Sequence, residues 1–139
     1  MFDRFNRKID YLRISVTDKC NLRCTYCMPP EGVPPIGHEC MLRFEEIAEV
    51  ARTAVELGIT KVRVTGGEPL VRRGIVALIE MLSRMEGIAD FAMTSNGTRL
   101  AEFARPLVEA GLHRVNVSLD AVDPARYAAI TRGGDVHRV

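Results

Sequence analysis

The chain is 139 residues long, and a domain of that length can bury roughly 68% of its unfolded surface, which is enough for a core. Its composition is 47% apolar and 27% charged, with a formal net charge of +1, which excludes a disordered chain. The near-neutral charge gives no reason to expect a nucleic-acid partner. The chain has no run of about eighteen apolar residues and begins with the polar sequence MFDR, so we expect no membrane partner, no signal peptide and a cytoplasmic protein.

The first half of the chain alternates between strand and helix patterns. A β-branched run predicts a strand over Tyr11 to Thr17. Apolar residues at helical spacing then predict a helix that stops before Gly58, although Arg43 stands where a capping hydroxyl is expected. These apolar residues are Phe44, Ile47, Ala48, Ala51, Ala54 and Val55. A second strand is predicted over Lys61 to Thr65.

The second half repeats the alternation. A helix before Gly87 is predicted from Ile75, Leu78, Ile79, Leu82 and Met85. A strand follows over Phe91 to Ser95, and a helix before Gly111 is then predicted from Leu100, Phe103, Ala104, Leu107 and Val108. The last strand is predicted over Arg114 to Leu119, and a helix opens at the cap Asp123-Pro124. Strict alternation predicts an α/β fold with parallel strands.

The predicted strands have one apolar and one polar face. The apolar face consists of Leu12, Ile14, Val16, Val62, Val64, Phe91, Met93, Val115 and Val117. The polar face carries Arg13, Ser15, Thr17, Lys61, Arg63, Thr65, Thr94, Asn116 and Ser118. Since unpaired buried charges cost several kcal/mol, we predict an incomplete TIM-type βα barrel around a polar, anionic ligand. The alternative is a polar face that is open to solvent.

Three of the four cysteines lie close together in the sequence. Without an export signal the thiols stay reduced, which favours metal binding or catalysis over disulfides. Cys20, Cys24 and Cys27 follow the first strand, and soft sulfur ligands suit an iron-sulfur cluster in which one iron has no protein ligand. The alternatives are a zinc site completed by Cys40 or His38, or a set of unrelated buried cysteines.

Two motifs together carry a resemblance to a known family. The CxxxCxxC loop has an aromatic residue before its last cysteine, and a strand ending in TGGEPL follows about forty residues later. This combination resembles the radical S-adenosylmethionine superfamily. The segments YLRISVTDKCNLRCTYCMP, ITKVRVTGGEPLVRRG, TSNGTRL and VSLDAVDPARYAAITRGG resemble, along the whole chain, the GTP 3′,8-cyclase family of molybdenum cofactor biosynthesis.

The resemblance implies a lyase with a [4Fe-4S] cluster and S-adenosylmethionine as cofactors. By residue, it implies Cys20, Cys24 and Cys27 as cluster ligands, Tyr26, Gly67 and Ser118 as cofactor contacts, and Arg13, Arg63 and Thr94 as GTP contacts. An alternative is that Arg13 or Arg63 merely pairs with Glu68 or Asp120. A different radical enzyme would share the cysteine loop and the GGEP turn but not Arg13 and Arg63 together, and a non-enzymatic zinc-binding module would use the same thiols with Cys40.

The resemblance also implies partners and a larger enzyme. It implies an external one-electron donor and is compatible with a homodimer. Family members are more than twice as long and carry a second cluster, so we expect residues 1–139 to be the N-terminal part of a radical S-adenosylmethionine domain, truncated after about four βα units. We expect this part alone not to turn over GTP.

Overall fold

The four strands form one parallel sheet in the order β1-β2-β3-β4, in a computed structural model that describes residues 2–34, 37 and 40–139. The strands are β1 Tyr11–Ser15, β2 Lys61–Thr65, β3 Asp90–Ser95 and β4 Arg114–Val117. The helices are α1 Phe44–Glu56, α2 Ile75–Ser83, α3 Leu100–Glu109 and α4 Pro124–Thr131, with short 3₁₀ turns at Pro69–Val71 and Val136–Arg138. Within the described ranges, no helix combines the length and the apolar character that crossing a bilayer requires. The predicted α/β fold with parallel strands is confirmed.

Strands β1 and β4 each end two residues earlier than the predicted Thr17 and Leu119. After β1, the Val16 N–H still donates to the Thr65 carbonyl at 2.8 Å, but the Thr17 carbonyl accepts from the Gly67 N–H at 2.7 Å. The backbone therefore leaves the strand ladder to pair with the turn after β2. Thr17 was predicted as the last polar-face residue of this strand, but it lies beyond the end of β1 and is buried.

Helix α1 begins without a capping hydroxyl. The Arg43 N–H donates to the Glu46 carboxylate at 2.7 Å, and a carboxylate in the first turn also interacts favourably with the helix dipole. At the other end, Gly58 has φ +97° and its N–H donates to the Val55 carbonyl at 2.9 Å. The left-handed stop predicted at Gly58 is confirmed.

Helices α2 and α3 differ in detail from their predicted patterns. Helix α2 ends at Ser83, so Gly87 belongs to the loop before β3 and is not the helix stop. The apolar pattern ran past the helix end because Met85 still packs against the core. Gly111 follows α3 as predicted, with φ +91°, but Val108 is 71% exposed and its assignment to the buried face is wrong.

Helix α4 has the predicted start. Pro124 occupies the first turn, and the Asp123 carboxylate accepts a hydrogen bond from the Arg126 N–H at 2.8 Å. The side chain thus satisfies one of the free N–H groups at the helix N-terminus. The helix ends at Thr131, and the next residue, Arg132, adopts the left-handed conformation with φ +54°.

The helices pack on the apolar face of the sheet. The buried strand residues there are Val62, Val64, Phe91 and Met93, joined by Val16 directly after β1. The helices contribute Ile47, Ala51, Ile75, Leu78, Ile79, Leu82 and Leu107. Leu12, Ile14 and Val115 pack against this cluster and are partly buried. Val117 is the exception: it ends the edge strand β4 and is 44% exposed, so its assignment to the covered face is wrong.

The opposite face of the sheet is polar, as predicted, and largely open in this chain. Its exposed residues are Arg13, Ser15, Lys61, Asn116 and Ser118, and its half-buried residues are Arg63, Thr65 and Thr94. Charged residues are tolerated here because water still reaches most of them.

Candidate functional site

The predicted cluster and cofactor positions follow the carboxyl ends of β1, β2 and β4. The cysteine loop follows β1 and the GGEP turn follows β2. Thr94 lies one residue before the end of β3, and Ser118 comes directly after β4, where its N–H donates to the Ser95 carbonyl at 2.9 Å. This is the edge at which open parallel sheets bind ligands.

Gly67 lies against the backbone of the cysteine loop. A Cβ at this position would be 2.3 Å from the Lys19 carbonyl oxygen, closer than any real contact. The neighbouring Gly66 has φ +153°, and its Cβ would be 2.6 Å from the Thr17 carbonyl oxygen. The two glycines therefore let the turn after β2 and the cysteine loop pack backbone against backbone.

Glu68 is a buried carboxylate that joins two strand ends. Its Oε1 accepts hydrogen bonds from the Leu70 N–H at 3.1 Å and the Ser95 hydroxyl at 2.9 Å, and its Oε2 accepts from the Asn96 N–H at 2.7 Å. The alternative in which Glu68 pairs with an arginine is therefore wrong. Sequence analysis missed this joining role, although the position of Glu68 in the GGEP motif was an available signal.

The three thiols of the cysteine loop are all free. Cys20 and Cys24 are half-buried, and Cys27 is exposed. The Leu22 N–H donates to the Cys20 sulfur at 3.4 Å, and the Cys27 N–H donates to the Cys24 carbonyl at 2.9 Å. Burial raises the pKa of the Cys24 thiol, and the neighbouring Cys20 and Cys27 thiols act in the same direction. Joint ionisation of the thiols would therefore be assisted by a bound cationic group.

The last turn of α4 holds the cysteine loop from one side. The N–H groups of Arg23 and Thr25 donate to carbonyls of that turn at 3.2 and 2.9 Å. The Arg132 guanidinium donates to the carbonyls of Arg23 at 3.0 Å and Met28 at 2.7 Å. Sequence analysis missed Arg132, because these contacts join positions 109 and 104 residues apart and no local pattern signals them.

Tyr26 connects the cysteine loop with the loop after β4. The side chain is exposed, and its hydroxyl lies 3.0 and 3.1 Å from the two oxygens of the Asp120 carboxylate. The contact brings Tyr26 towards the loop that carries Ser118. Because Asp120 binds Tyr26, the alternative in which Asp120 pairs with Arg13 or Arg63 is wrong.

Arg13 and Arg63 lie side by side on the polar face. They are register partners in β1 and β2, and neighbouring strands are about 4.8 Å apart. Arg13 is exposed and, in the described part of the chain, has no ion-pair partner. The Arg63 guanidinium lies 5.5 Å from the Tyr11 ring centroid, and its buried Nε has no hydrogen-bond partner among the described residues. Neither guanidinium forms an ion pair in the described part of the chain, although Arg63 is close enough to Asp90 to help lower the pKa of that carboxyl. Adjacent guanidinium groups without an ion-pair partner are suited to bind an anion.

A third arginine occupies the same row of the sheet. Arg114 is linked to Arg63 through the register of Ala92, and it bonds the Asp90 carboxylate at 2.7 and 3.1 Å. The hydrogen bond from Arg114 lowers the pKa of Asp90. Sequence analysis missed Arg114, although it shares the parity of Asn116 along β4.

The described residues do not assemble the alternative zinc site that Cys40 would complete, and the version completed by His38 is not tested. Cys40 is exposed, and His38 lies outside the described residues. Across residues 2–34, 37 and 40–139, no three His, Cys, Asp or Glu side chains form a group that could hold a single metal ion.

A sequence profile of the Radical SAM superfamily matches residues 14–139, which include the cysteine loop, the GGEP turn and strands β2 to β4. The chain belongs to this superfamily. Membership implies a [4Fe-4S] cluster and S-adenosylmethionine as cofactors.

Curated relatives of this radical SAM chain include enzymes named GTP 3′,8-cyclase. The protein from Peptoclostridium acidaminophilum is 55% identical over 139 residues, which are 100% of this chain and 43% of the relative. The protein from Thermodesulfovibrio yellowstonii is 58% identical over 135 residues, which are 96% of this chain and 42% of the relative. The chain thus spans less than half the length of these relatives.

Two crystal structures of BtrN resemble the fold. A selenomethionine form in an open conformation has a TM-score of 0.60 at 20% identity, over 85% of this chain and 53% of that one. A complex with AdoMet and 2-DOIA has a TM-score of 0.60 at 16% identity, over 95% of this chain and 54% of that one. At these identities the likeness establishes the fold alone.

The cysteine loop of this radical SAM chain fits an iron-sulfur cluster in its donor chemistry. Three free thiols occur within eight residues, which suits iron because it prefers soft sulfur ligands. The Leu22 N–H at the Cys20 sulfur would stabilise a thiolate ligand. A cavity of about 270 Å³ adjoins the loop and is lined by Asp18, Lys19, Cys20, Arg23, Met28 and Val33.

Proposed function

We propose that this chain is part of a GTP 3′,8-cyclase, a radical SAM lyase of molybdenum cofactor biosynthesis that converts GTP to (8S)-3′,8-cyclo-7,8-dihydroguanosine 5′-triphosphate. The observation that carries the proposal is the adjacent pair Arg13 and Arg63, which has no carboxylate partner among the described residues, in a chain 50–58% identical to relatives of that name. A nucleoside triphosphate is the kind of anion that such a pair of guanidinium groups can bind.

The proposed cluster ligands are Cys20, Cys24 and Cys27. With S-adenosylmethionine bound, the cluster would supply the one-electron reduction that generates a 5′-deoxyadenosyl radical. The chain's own share is to hold the loop in place through α4 and through the GGEP turn. A loop fixed at both sides has less conformational freedom to lose when its three thiols bind a cluster.

The proposed cofactor contacts are Tyr26, Gly67 and Ser118. Each comes from a different loop at the carboxyl edge of the sheet, and two of these loops are joined by the hydrogen bonds from the Tyr26 hydroxyl to Asp120. The missing Cβ of Gly67 makes room for the Lys19 backbone, and Gly67 itself is exposed, so the turn's backbone can still be reached by a ligand. We propose that these loops orient the cofactor above the sheet.

The proposed GTP contacts are Arg13, Arg63 and Thr94. All three are on the polar face, one on each of the strands β1, β2 and β3. Arginine forks can contact phosphate oxygens in pairs, and Thr94 adds a hydroxyl donor nearer the cofactor loops. Fixing the substrate at several points would hold its ribose beside the radical source and exclude water.

The proposal also covers the larger domain, the partners and the compartment in which the chain acts. We propose that residues 1–139 form the N-terminal part of one radical SAM domain, in which the sheet continues into an incomplete βα barrel that covers the polar face. We also propose that an external one-electron donor reduces the cluster, that the enzyme can form a homodimer, and that it is located in the cytoplasm. A reducing compartment would keep the free cysteines available to bind iron.

Equilibrium binding of GTP to the complete enzyme tests the proposal. Arg13→Ala and Arg63→Ala should each weaken binding by about 10- to 100-fold, since a hydrogen bond to a charged group contributes about 1.5–3 kcal/mol. Arg105→Ala is the matched control, because Arg105 is exposed on α3 and, among the described residues, its one ion pair is with Glu109 on the same helix. Unchanged GTP affinity in both variants would indicate another radical SAM enzyme.

A further inference from the structure

Asn96 lies where three parts of the site meet. It follows β3 directly, and its backbone N–H donates to the buried Glu68 carboxylate at 2.7 Å. Its side chain contacts Thr98 on one side and the cysteine loop on the other. The backbone position of Asn96 is therefore fixed by the GGEP turn, independently of what its side chain does.

The orientation of the Asn96 amide follows from its partners. One terminal atom accepts the Thr98 backbone N–H at 3.1 Å and the Thr98 hydroxyl at 2.7 Å. A backbone N–H can only donate, so this atom must be the carbonyl oxygen Oδ1. The other terminal atom is consequently the NH₂ group, and it points at the cysteine loop.

The Asn96 NH₂ group has two acceptors in that loop. It lies 2.9 Å from the Asn21 Oδ1 and 3.9 Å from the Cys20 sulfur. The Asn21 NH₂ group in turn donates to the Thr98 hydroxyl at 2.8 Å, which completes a ring of hydrogen bonds among the three side chains. The ring leaves the second Asn96 N–H directed at sulfur.

We propose that Asn96 is a positioning residue that donates a hydrogen bond to the Cys20 thiolate and thereby raises the reduction potential of the cluster. The inference rests on the proposed role of Cys20 as a cluster ligand. Reduction adds negative charge that is shared with the ligand sulfurs, and an N–H dipole directed at one sulfur stabilises the reduced form more than the oxidised form. Asn96 also fixes where Cys20 stands relative to the GGEP turn.

The test compares variants of the protein reconstituted anaerobically with iron and sulfide. Asn96→Asp is nearly isosteric and keeps the acceptor for Thr98, but it turns an oxygen towards the Cys20 sulfur. Asn96→Leu removes the donor without adding charge. Asn6→Asp is the control, because it makes the same chemical change at an exposed residue of the N-terminal segment. The measurements are the midpoint potential, followed by electron paramagnetic resonance, and the bound iron per chain.

The expected result is a more negative midpoint potential in Asn96→Leu and a larger negative shift in Asn96→Asp, with no shift in Asn6→Asp. Iron-loaded Asn96 variants with the wild-type potential would overturn the inference. If Asn96→Asp binds no iron, Asn96→Leu alone decides, and loss of iron from both variants would show a purely structural role. A wild-type protein that binds zinc and forms no cluster would instead overturn the proposed function.

Discussion

The two faces of the sheet are built from the same strands but have different roles. Successive residues of a strand point to opposite faces, so each hydrophobic residue in β2 is followed by a polar one. Val62 and Val64 are buried under the helices, whereas their neighbour Arg63 is on the open face with an unpaired Nε in the described structure. One face of the sheet therefore stabilises the fold, and the other is free to carry charged side chains for binding.

The loops at the carboxyl edge follow a third rule. They are held in place by hydrogen bonds to buried polar groups. The Glu68 carboxylate accepts three of these bonds. A buried polar network stabilises a fold only when every polar group in it has a hydrogen-bond partner, because a group without a partner costs about 1–3 kcal/mol of stability. We therefore expect the site to be disrupted by an added side chain at its glycines and by the loss of a hydrogen-bond partner at its buried polar side chains.

The largest expected effect is on the covered face. Phe91→Ala should lower the free energy of unfolding by about 3–5 kcal/mol, because Phe91 is fully buried in the core and truncation leaves a cavity. Urea unfolding followed by circular dichroism measures this change. Arg13→Ala, on the open face, should stay within about 0.5 kcal/mol of the wild type. Equal losses in the two variants would contradict the division between the faces.

A smaller effect is expected where the GGEP turn meets the cysteine loop. Gly67→Ala should destabilise the chain by about 1–3 kcal/mol, because its Cβ would displace the Lys19 backbone. It should also lower the iron bound after reconstitution, since Lys19 precedes the ligand Cys20. Urea unfolding and iron analysis measure the two effects.

Gly133→Ala is the control for Gly67→Ala. Gly133 has φ +101°, but no atom lies within 4 Å of its added Cβ, so the substitution carries backbone strain of about 1–2 kcal/mol and no steric overlap. Iron binding should therefore survive in this variant. If Gly67→Ala bound iron as well as Gly133→Ala does, the packing of the two backbones would not matter for the site.

Sequence patterns predicted the parts of the fold that depend on near neighbours in the chain. The Asp123 cap and the Gly58 stop follow from local chemistry, and the two faces of the sheet follow from alternation. The apolar periodicity did not predict which residues are buried at the margins of the helical layer that covers the sheet. Val108 and Val117 continue apolar patterns, yet both are exposed because they lie beyond that layer.

The candidate site was predictable only in part for a similar reason. The cysteine spacing and the GGEP turn are local motifs, so the loops that carry them were identified. The groups that hold these loops are distant in sequence: Asn96 reaches Cys20 across 76 positions, and Arg132 reaches Met28 across 104. Such contacts depend on how the strands are arranged, which one sequence does not specify directly.

The smallest expected effect concerns the ion pair of Asp90 and Arg114 on the open face. The hydrogen bond from Arg114 holds the pKa of Asp90 below its ordinary value of 3.8. A carboxyl whose pKa is lower in the folded state stabilises the fold above its unfolded pKa, near 3.9, and this contribution is lost as the pH falls through the folded pKa. Both side chains are partly exposed, so the contribution is at most about 1 kcal/mol.

Urea unfolding at pH 7 and pH 3 therefore measures a small difference between the wild type and Asp90→Asn. The wild type should lose up to about 1 kcal/mol more than the variant between these two values, because only the wild type has an Asp90 carboxylate to protonate. Arg114→Ala should reduce the same pH-dependent loss, and the double variant should behave as Asp90→Asn does. A pH-dependent loss of the same size in the wild type and Asp90→Asn would assign the loss to other carboxyls, and would leave this ion pair without a measurable share in stability.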